Sequence, residues 1–250
     1  MNTDLTCLYD GSFTGLLTAV ALCETQDTFI TLARSRDAIG LFDEPVEIRQ
    51  DEAKADAVWS RLLKITGRQG ASLLLEAFAS DISGADSASA NTALLLLKKG
   101  NRVLDDLGNP HILAADKAAH RSRAVAHLFL GLSRFSELAD GTYYAPIEPD
   151  CDILPLVAAH FANRLSSQTF ALHDCRRRKA LLHIPGSEAE ILADFETAWK
   201  GSMPVSERER EIQALWKQYF SMVSIRERSN PRLQMSHMPK KYWKYLPEKL

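Results

Sequence analysis

The hydrophobic spacing changes period part-way along this 250-residue chain, and that change limits the folds open to it. From Glu52 to about Gly100 apolar residues recur at helical intervals. Ala55, Val58, Trp59, Leu62 and Leu63 form one stripe, and Leu73, Leu74, Ala77 and Phe78 another. Gly67-Arg68-Gln69-Gly70 reads as a stop between them. Asp81 to Ala90 reads as a loop running into a helix that starts at about Ser89 and ends at Lys98-Lys99-Gly100, basic residues then Gly. Asn109-Pro110 opens a further helix expected to reach about Val125. The runs then shorten to strand length: His127 to Leu138, Thr142 to Ile147, Thr169 to Asp174 and Ala180 to Ile184. Asp140-Gly141 is a hairpin signal, and a helix from about Leu154 to Leu165 interrupts the strands.

At the N-terminus, β-prone Leu5 to Tyr9 passes through Asp10-Gly11-Ser12 into a helix over Phe13 to Cys23, followed by weaker strands at Phe29 to Leu32 and Val46 to Ile48. Ser187-Glu188-Ala189-Glu190 and Ser206-Glu207-Arg208-Glu209 both fit a capping box. The second opens a helix whose stripe, Ile212, Leu215, Trp216, Tyr219, Phe220 and Val223, is expected to face the core. The fold class is therefore α+β: an antiparallel sheet in the second half, helices packed before and after it, and a β-α start. With no repeat or long low-complexity linker, a single domain over 1–250 is expected, with 217–250 as a basic C-terminal arm.

A composition of 46% hydrophobic and 25% charged residues excludes wholesale disorder and fibrous repeats. The first residues lack a basic then apolar export pattern. The longest aliphatic run, Ala93 to Leu97, is far short of the roughly 18 residues of a membrane span. Cysteines at 7, 23, 151 and 175 form no Cys-x-x-Cys pair. A cytoplasmic protein with reduced thiols, no membrane contact, and no metal or cofactor is expected. Charge is uneven: Lys217 to Leu250 holds 8 Lys+Arg against 2 Asp+Glu, whereas the whole chain carries a net −2. A basic arm interleaved with Tyr219, Tyr242, Trp243 and Tyr245 suits phosphate contact, or else packs back on an acidic body and neutralises it. Arg176-Arg177-Arg178-Lys179 has the same two readings, phosphate grip or solvated turn.

Spacing alone gives no enzyme class. Glu148, Asp150 and Asp152 alternate, as a hard-metal or acid/base site needs, but they also suit helix capping and pairing with arginine. His120, His127, His160 and His173 form no ligand pair within a helix, although His173-Asp174 has the form of an oriented base. Asp10-Gly11-Ser12 before a helix offers backbone donors to an anion, yet is also an ordinary strand–turn–helix link. Gly-x-Ser-x-Gly elbows, phosphate-binding loops and dinucleotide fingerprints are absent from the sequence.

Three blocks in order resemble the bacterial family labelled probable DNA metabolism protein. The first is Tyr9-Asp10-Gly11-Ser12-Phe13-Thr14-Gly15-Leu16 onward to Val20. The central block runs from Arg134-Phe135 through Asp140 to Asp150 and Asp152 to Leu156, then His160-Phe161 and His173-Asp174. The last is Ile225-Arg226-Glu227-Arg228-Ser229-Asn230-Pro231-Arg232-Leu233-Gln234, closing on Met238-Pro239-Lys240-Lys241-Tyr242-Trp243. In that family the domain stands alone beside a radical-SAM protein thought to act on DNA, or is fused ahead of a uracil-DNA glycosylase-like domain. The resemblance implies an accessory protein of DNA repair or modification that binds DNA and works with a separately encoded radical-SAM enzyme. It carries no catalytic residues to transfer. The chain stops soon after the last block, so a fused glycosylase domain is not expected.

Arg226, Arg228, Arg232, Lys240 and Lys241 would then contact phosphates, with Tyr242 or Trp243 stacking on a base. Two alternatives stand beside this. One is a hydrolase of nucleotides or DNA ends, with Arg134, Glu148, Asp150, His160 and His173 converging in one pocket. The other is an adaptor whose basic arm binds an acidic protein without DNA contact.

Overall fold

Strand β1 (Leu5–Leu8) leads through Asp10-Gly11-Ser12 into helix α1 (Phe13–Cys23), over the span the apolar spacing predicts. Local polar bonds set this start. The Ser12 hydroxyl accepts from the Gly15 amide at 2.8 Å, and the Asp10 carboxylate accepts from the Ser12 amide at 2.9 Å. A Cβ at Gly15 would lie 2.2 Å from Asp10 Oδ1, so this closed turn requires glycine there. The Ser12 and Gly15 amides, two donors that an anion at this turn would use, are thus engaged within the chain. α1 crosses over to a parallel strand β2 (Ile30–Ala33), and β3 (Val46–Glu47) pairs on the other side of β1, giving the order β2–β1–β3.

A computed structural model describes residues 5–26, 28–35, 44–198, 204–223 and 230–249. Its chain forms two compact units, Met1–Arg123 and Ala124–Leu250. The first continues with α2 (Glu52–Phe78), α3 (Ala85–Lys99) and the start of α4 (Pro110–Leu132). The stop expected at Gly67 is a kink: its φ of 64° breaks the helical geometry, and the helix resumes to Phe78. α3 begins at Ala85, inside the stretch read as a loop. Its polar residues have buried partners. Asn91 accepts from the Ile30 amide at 2.8 Å and donates to the Ile30 carbonyl at 2.9 Å, while Ser87 accepts from the Leu32 amide at 2.9 Å. These side chains close the open edge of β2, a place where bare backbone groups are costly. Gly100 ends α3 with φ 79°, as its Lys-Lys-Gly signal predicts.

α4 continues through His127 to Leu132, where a strand was expected. The run His127-Leu128-Phe129-Leu130 suits either element. Burial of Ala126 and Phe129 at helical spacing in the second core decides for helix.

The second unit holds a five-stranded sheet in the order β4–β5–β6–β7–β8. Its strands are β4 (Ser136–Glu137), β5 (Tyr143–Ile147), β6 (Phe170–Asp174), β7 (Lys179–His183) and β8 (Glu190–Leu192). The sheet is mostly antiparallel, as expected. Asp140-Gly141 turns the β4–β5 hairpin with Gly141 at φ 84°. The exception is β5–β6, which is parallel because α5 (Leu154–Arg164) crosses over between them. The Ser187–Glu190 box starts no helix: Glu190 and Ile191 pair with Leu182 and Leu181 as β8. α6 (Phe195–Ala198) buries Phe195 on Ala171 and Ala180.

α7 (Glu207–Val223), α8 (Pro231–His237) and short 3-10 turns at Lys240–Tyr245 and Pro247–Lys249 follow. Asn230 caps α8 with Pro231 in its first turn. Tyr242 and Leu246 enter the second core, Tyr242 against Phe129 at 4.8 Å. Among the described residues, no helix is long and apolar enough to cross a membrane.

α7 does not present its apolar stripe to a core. Ile212, Leu215, Tyr219 and Val223 are exposed. The face that meets the unit is a polar one at i, i+4 and i+7: Glu209 bonds the Glu137 amide, Gln213 bonds Ser136, and Trp216 bonds Glu248.

Candidate functional site

The five residues of the hydrolase reading are held in separate arrangements. Glu148 pairs with Lys244 at 2.5 Å, and Asp150 pairs with Lys241. His160 is exposed, its ring edge-on to Phe161. His173 is buried, and Arg134 is bound to Glu248 at 2.7 Å.

The acidic run is matched to cations along its length. Besides Lys244 and Lys241, Lys179 holds Asp152 at 2.8 Å. Arg177 donates to the Pro149 and Asp150 carbonyls at 3.1 Å each and to Asp174 at 2.7 Å. Arg178 pairs with Asp194 and Glu196. Most of the Arg176–Lys179 cluster therefore acts as a clamp within the unit. Opposite charges that close satisfy one another and leave little for a metal or a phosphate. Among the described residues, no three His, Cys, Asp or Glu side chains are grouped to hold a metal ion.

The basic arm is partly folded back in the same way. Tyr242 is buried, and the Lys241 ammonium lies over its ring at 4.9 Å. Trp243 donates to the Met238 carbonyl at 2.8 Å, and the Lys240 and Lys249 ammonium groups lie over its ring at 5.9 and 4.8 Å. These contacts leave Tyr242 closed to a base and Trp243 half-covered. Arg232 and Lys240 are exposed, without an acidic partner among the described residues. Arg226 and Arg228 lie outside the described residues.

His173 forms a buried polar cluster with its strand neighbours. Its Nδ1 is 2.8 Å from the Tyr144 hydroxyl and 3.7 Å from Cys175 Sγ, and its ring faces Phe195 at 4.9 Å. Burial pushes the imidazole below its ordinary range, with Glu196 and Asp174 opposing. Burial also raises the Cys175 thiol, against a hydrogen bond from Tyr245. A thiol raised in this way is a poor nucleophile.

A concave feature of the second unit lies elsewhere. A cavity of about 570 Å³ opens between the end of α5, the Ser133–Ser136 segment and α7. Phe135, Tyr143 and Trp216 give it flat aromatic walls, and Arg134, Arg164 and Glu209 bring charge. Arg134 donates to the Gly131 carbonyl at 2.7 Å and to Glu248, and stands 6.0 Å over the Trp216 ring, whose N–H reaches the other Glu248 oxygen at 3.1 Å. Although burial opposes it, the Arg134 guanidinium and the Trp216 N–H hold the Glu248 carboxyl below its usual range. Glu209, only 6% exposed, accepts from the Glu137 amide at 3.3 Å and from Gln213 at 2.9 Å. Apolar walls with a few convergent polar groups are the usual make-up of a small-molecule site. Of the five hydrolase candidates, only Arg134 lines this cavity.

A family model described as a domain of unknown function (DUF4130) matches residues 85–248. The chain belongs to that family. No curated protein and no solved structure matches it.

The DUF4130 match begins at the first residue of α3 and takes in every residue of the cavity wall. The N-terminal block from Tyr9 to Val20 lies outside it. Sequence reasoning singled out Arg134, but for a pocket shared with Glu148, Asp150, His160 and His173, and it missed Glu209, Gln213 and Arg164. The available signal was the Ser206–Glu209 box. Ser206 does accept from the Glu209 amide at 3.0 Å, yet the Glu209 carboxylate turns to β4 instead of back to Ser206. A capping glutamate drawn away from its helix end marks a second partner.

Proposed function

We propose that this DUF4130 chain is a cytoplasmic accessory protein of DNA repair or DNA modification that binds nucleic acid and works with a separately encoded radical-SAM enzyme. The observation that carries the nucleic-acid part is the stacked pair Trp216–Tyr219 on α7. The ring centroids are 5.7 Å apart, the planes are within 28°, and the side chains are 39% and 58% exposed. Arg134 lies over the Trp216 ring, and Arg208, Arg210 and Lys217 share the helix. Open aromatic faces beside cations bind single strands by stacking, whatever the base. Arg164, Arg232 and Lys240 add cations free of acidic partners among the described residues. The DNA-metabolism setting and the radical-SAM partner rest on the resemblance of the Tyr9, Arg134 and Ile225 blocks.

Fluorescence anisotropy with single-stranded, duplex and uracil-containing DNA across a salt series tests this reading. The comparison protein carries Arg226, Arg228, Arg232, Lys240 and Lys241 changed to Ala. Four or five phosphate contacts give a log–log slope of roughly −3 to −4.5, smaller in size for the variant. A folded protein that binds none of the three DNAs overturns it. A protein-binding adaptor is then the better reading, favoured by the exposed apolar Leu215, Met222 and Val223 on α7.

A further inference from the structure

Glu209 is a buried carboxylate without a cation, set in the wall of an aromatic cavity, and that combination is incomplete as it stands. Its two partners, the Glu137 amide and the Gln213 side-chain amide, are neutral donors, and no ion pair to it occurs among the described residues. Each carboxylate oxygen keeps a lone pair for a further donor. A buried charge is stabilised when such donors are supplied.

We infer that the cavity is a binding site for a guanine base, with Glu209 accepting from its N1–H and 2-amino groups. The inference deepens the nucleic-acid reading and rests on it where the base belongs to a strand. Guanine alone among the common bases places two adjacent N–H donors on its pairing edge. Adenine and cytosine put a ring-nitrogen acceptor beside their amino group, and uracil and thymine flank one N–H with carbonyls. Each of these would set an acceptor lone pair against the second Glu209 oxygen. The neighbouring polar group fits the rest of the edge. Gln213 Nε2 donates to Ser136 Oγ at 3.0 Å and to Glu209, which leaves the Ser136 hydroxyl hydrogen to meet the guanine O6. Phe135, Tyr143 and Trp216 supply aromatic surface for the ring. Arg164, exposed and without an acidic partner among the described residues, supplies a cation for a phosphate. A volume near 570 Å³ accommodates a mononucleotide.

The test is calorimetric titration of the full chain with GMP, guanosine, IMP, AMP, CMP and UMP. It is repeated with a single-stranded thymine-rich oligonucleotide holding one guanine or one hypoxanthine. GMP should bind roughly 10- to 100-fold tighter than IMP, which differs only by the missing 2-amino group, and tighter than the other three. Glu209→Gln should abolish that preference, and Arg164→Ala should weaken GMP while leaving guanosine unchanged. Equal affinity for GMP and IMP overturns the inference, and needs no variant to be read. A preference that persists in Glu209→Gln also overturns it. GMP preference without oligonucleotide binding supports the site as one for free nucleotides and removes the nucleic-acid reading. Oligonucleotide binding that ignores the guanine, with no GMP binding, removes the site and leaves that reading in place.

Discussion

Arg177 donates to Asp174 at 2.7 Å, and the Asp174 side chain is wholly buried at the end of β6. Burial raises the Asp174 carboxyl, and the Arg177 guanidinium opposes that rise. The same guanidinium reaches the Pro149 and Asp150 carbonyls, so one side chain ties the β6–β7 turn to the acidic run. Among the described residues, removing it leaves a buried acid held only by the Arg176 and Arg177 backbone amides, with no counter-charge on it. Arg177→Ala should therefore lower stability by about 3–5 kcal/mol in a urea titration. Arg176→Ala, at an exposed neighbour, should stay within about 0.5 kcal/mol.

His173 sets a pH dependence whose sign follows from its burial. Its folded pKa is depressed, so between that value and the unfolded value near 6.5 the unfolded chain binds more protons. Stability therefore falls as pH is lowered through about 6.5. His173→Gln should make the melting temperature less sensitive to acidification from about pH 7.5 to 5.5. An unchanged slope would mean that the buried imidazole takes no part.

Asn91 completes the outer edge of β2 by bonding both backbone groups of Ile30. Asn91→Ala leaves a buried donor and acceptor unpaired, at roughly 1–3 kcal/mol for each group. Hydrogen exchange should show the Ile30 amide losing protection before other β2 amides.

Tyr219 and Lys241 should separate stacking from charge in DNA binding. Tyr219→Ala removes an exposed ring from the Trp216 pair and should weaken single-strand binding by about 1–3 kcal/mol with stability unchanged. Lys241 already neutralises Asp150, so Lys241→Ala should alter the salt slope less than Arg232→Ala does. Anisotropy titrations at several salt concentrations read both effects.

Element type was legible wherever the signal was local. The Asp10-Gly11-Ser12 turn, the Asp140-Gly141 turn and the Lys98-Lys99-Gly100 end act through neighbours a few residues away, and all three stand where the sequence puts them. The first turn of α3, ahead of Ser89, was hidden because Asp86 and Ser87 look like loop residues until Arg34 and Leu32 come to meet them. The parallel β5–β6 pair was hidden because α5 carries no mark of where the chain returns.

By itself the sequence determined the α+β class, the order of most elements and the concentration of positive charge after Lys217, since these depend on spacing and composition within short windows. Only the tertiary structure decided which charges remain open and where the cavity lies. Lys241 and Asp150 are 91 positions apart, and Glu209 and Glu137 are 72. Neither pairing leaves a trace in local periodicity, because a hydrogen bond or ion pair depends on distance in space. For the same reason the amphipathic stripe of α7 could be read from its spacing, while the polar face that bonds the sheet could not.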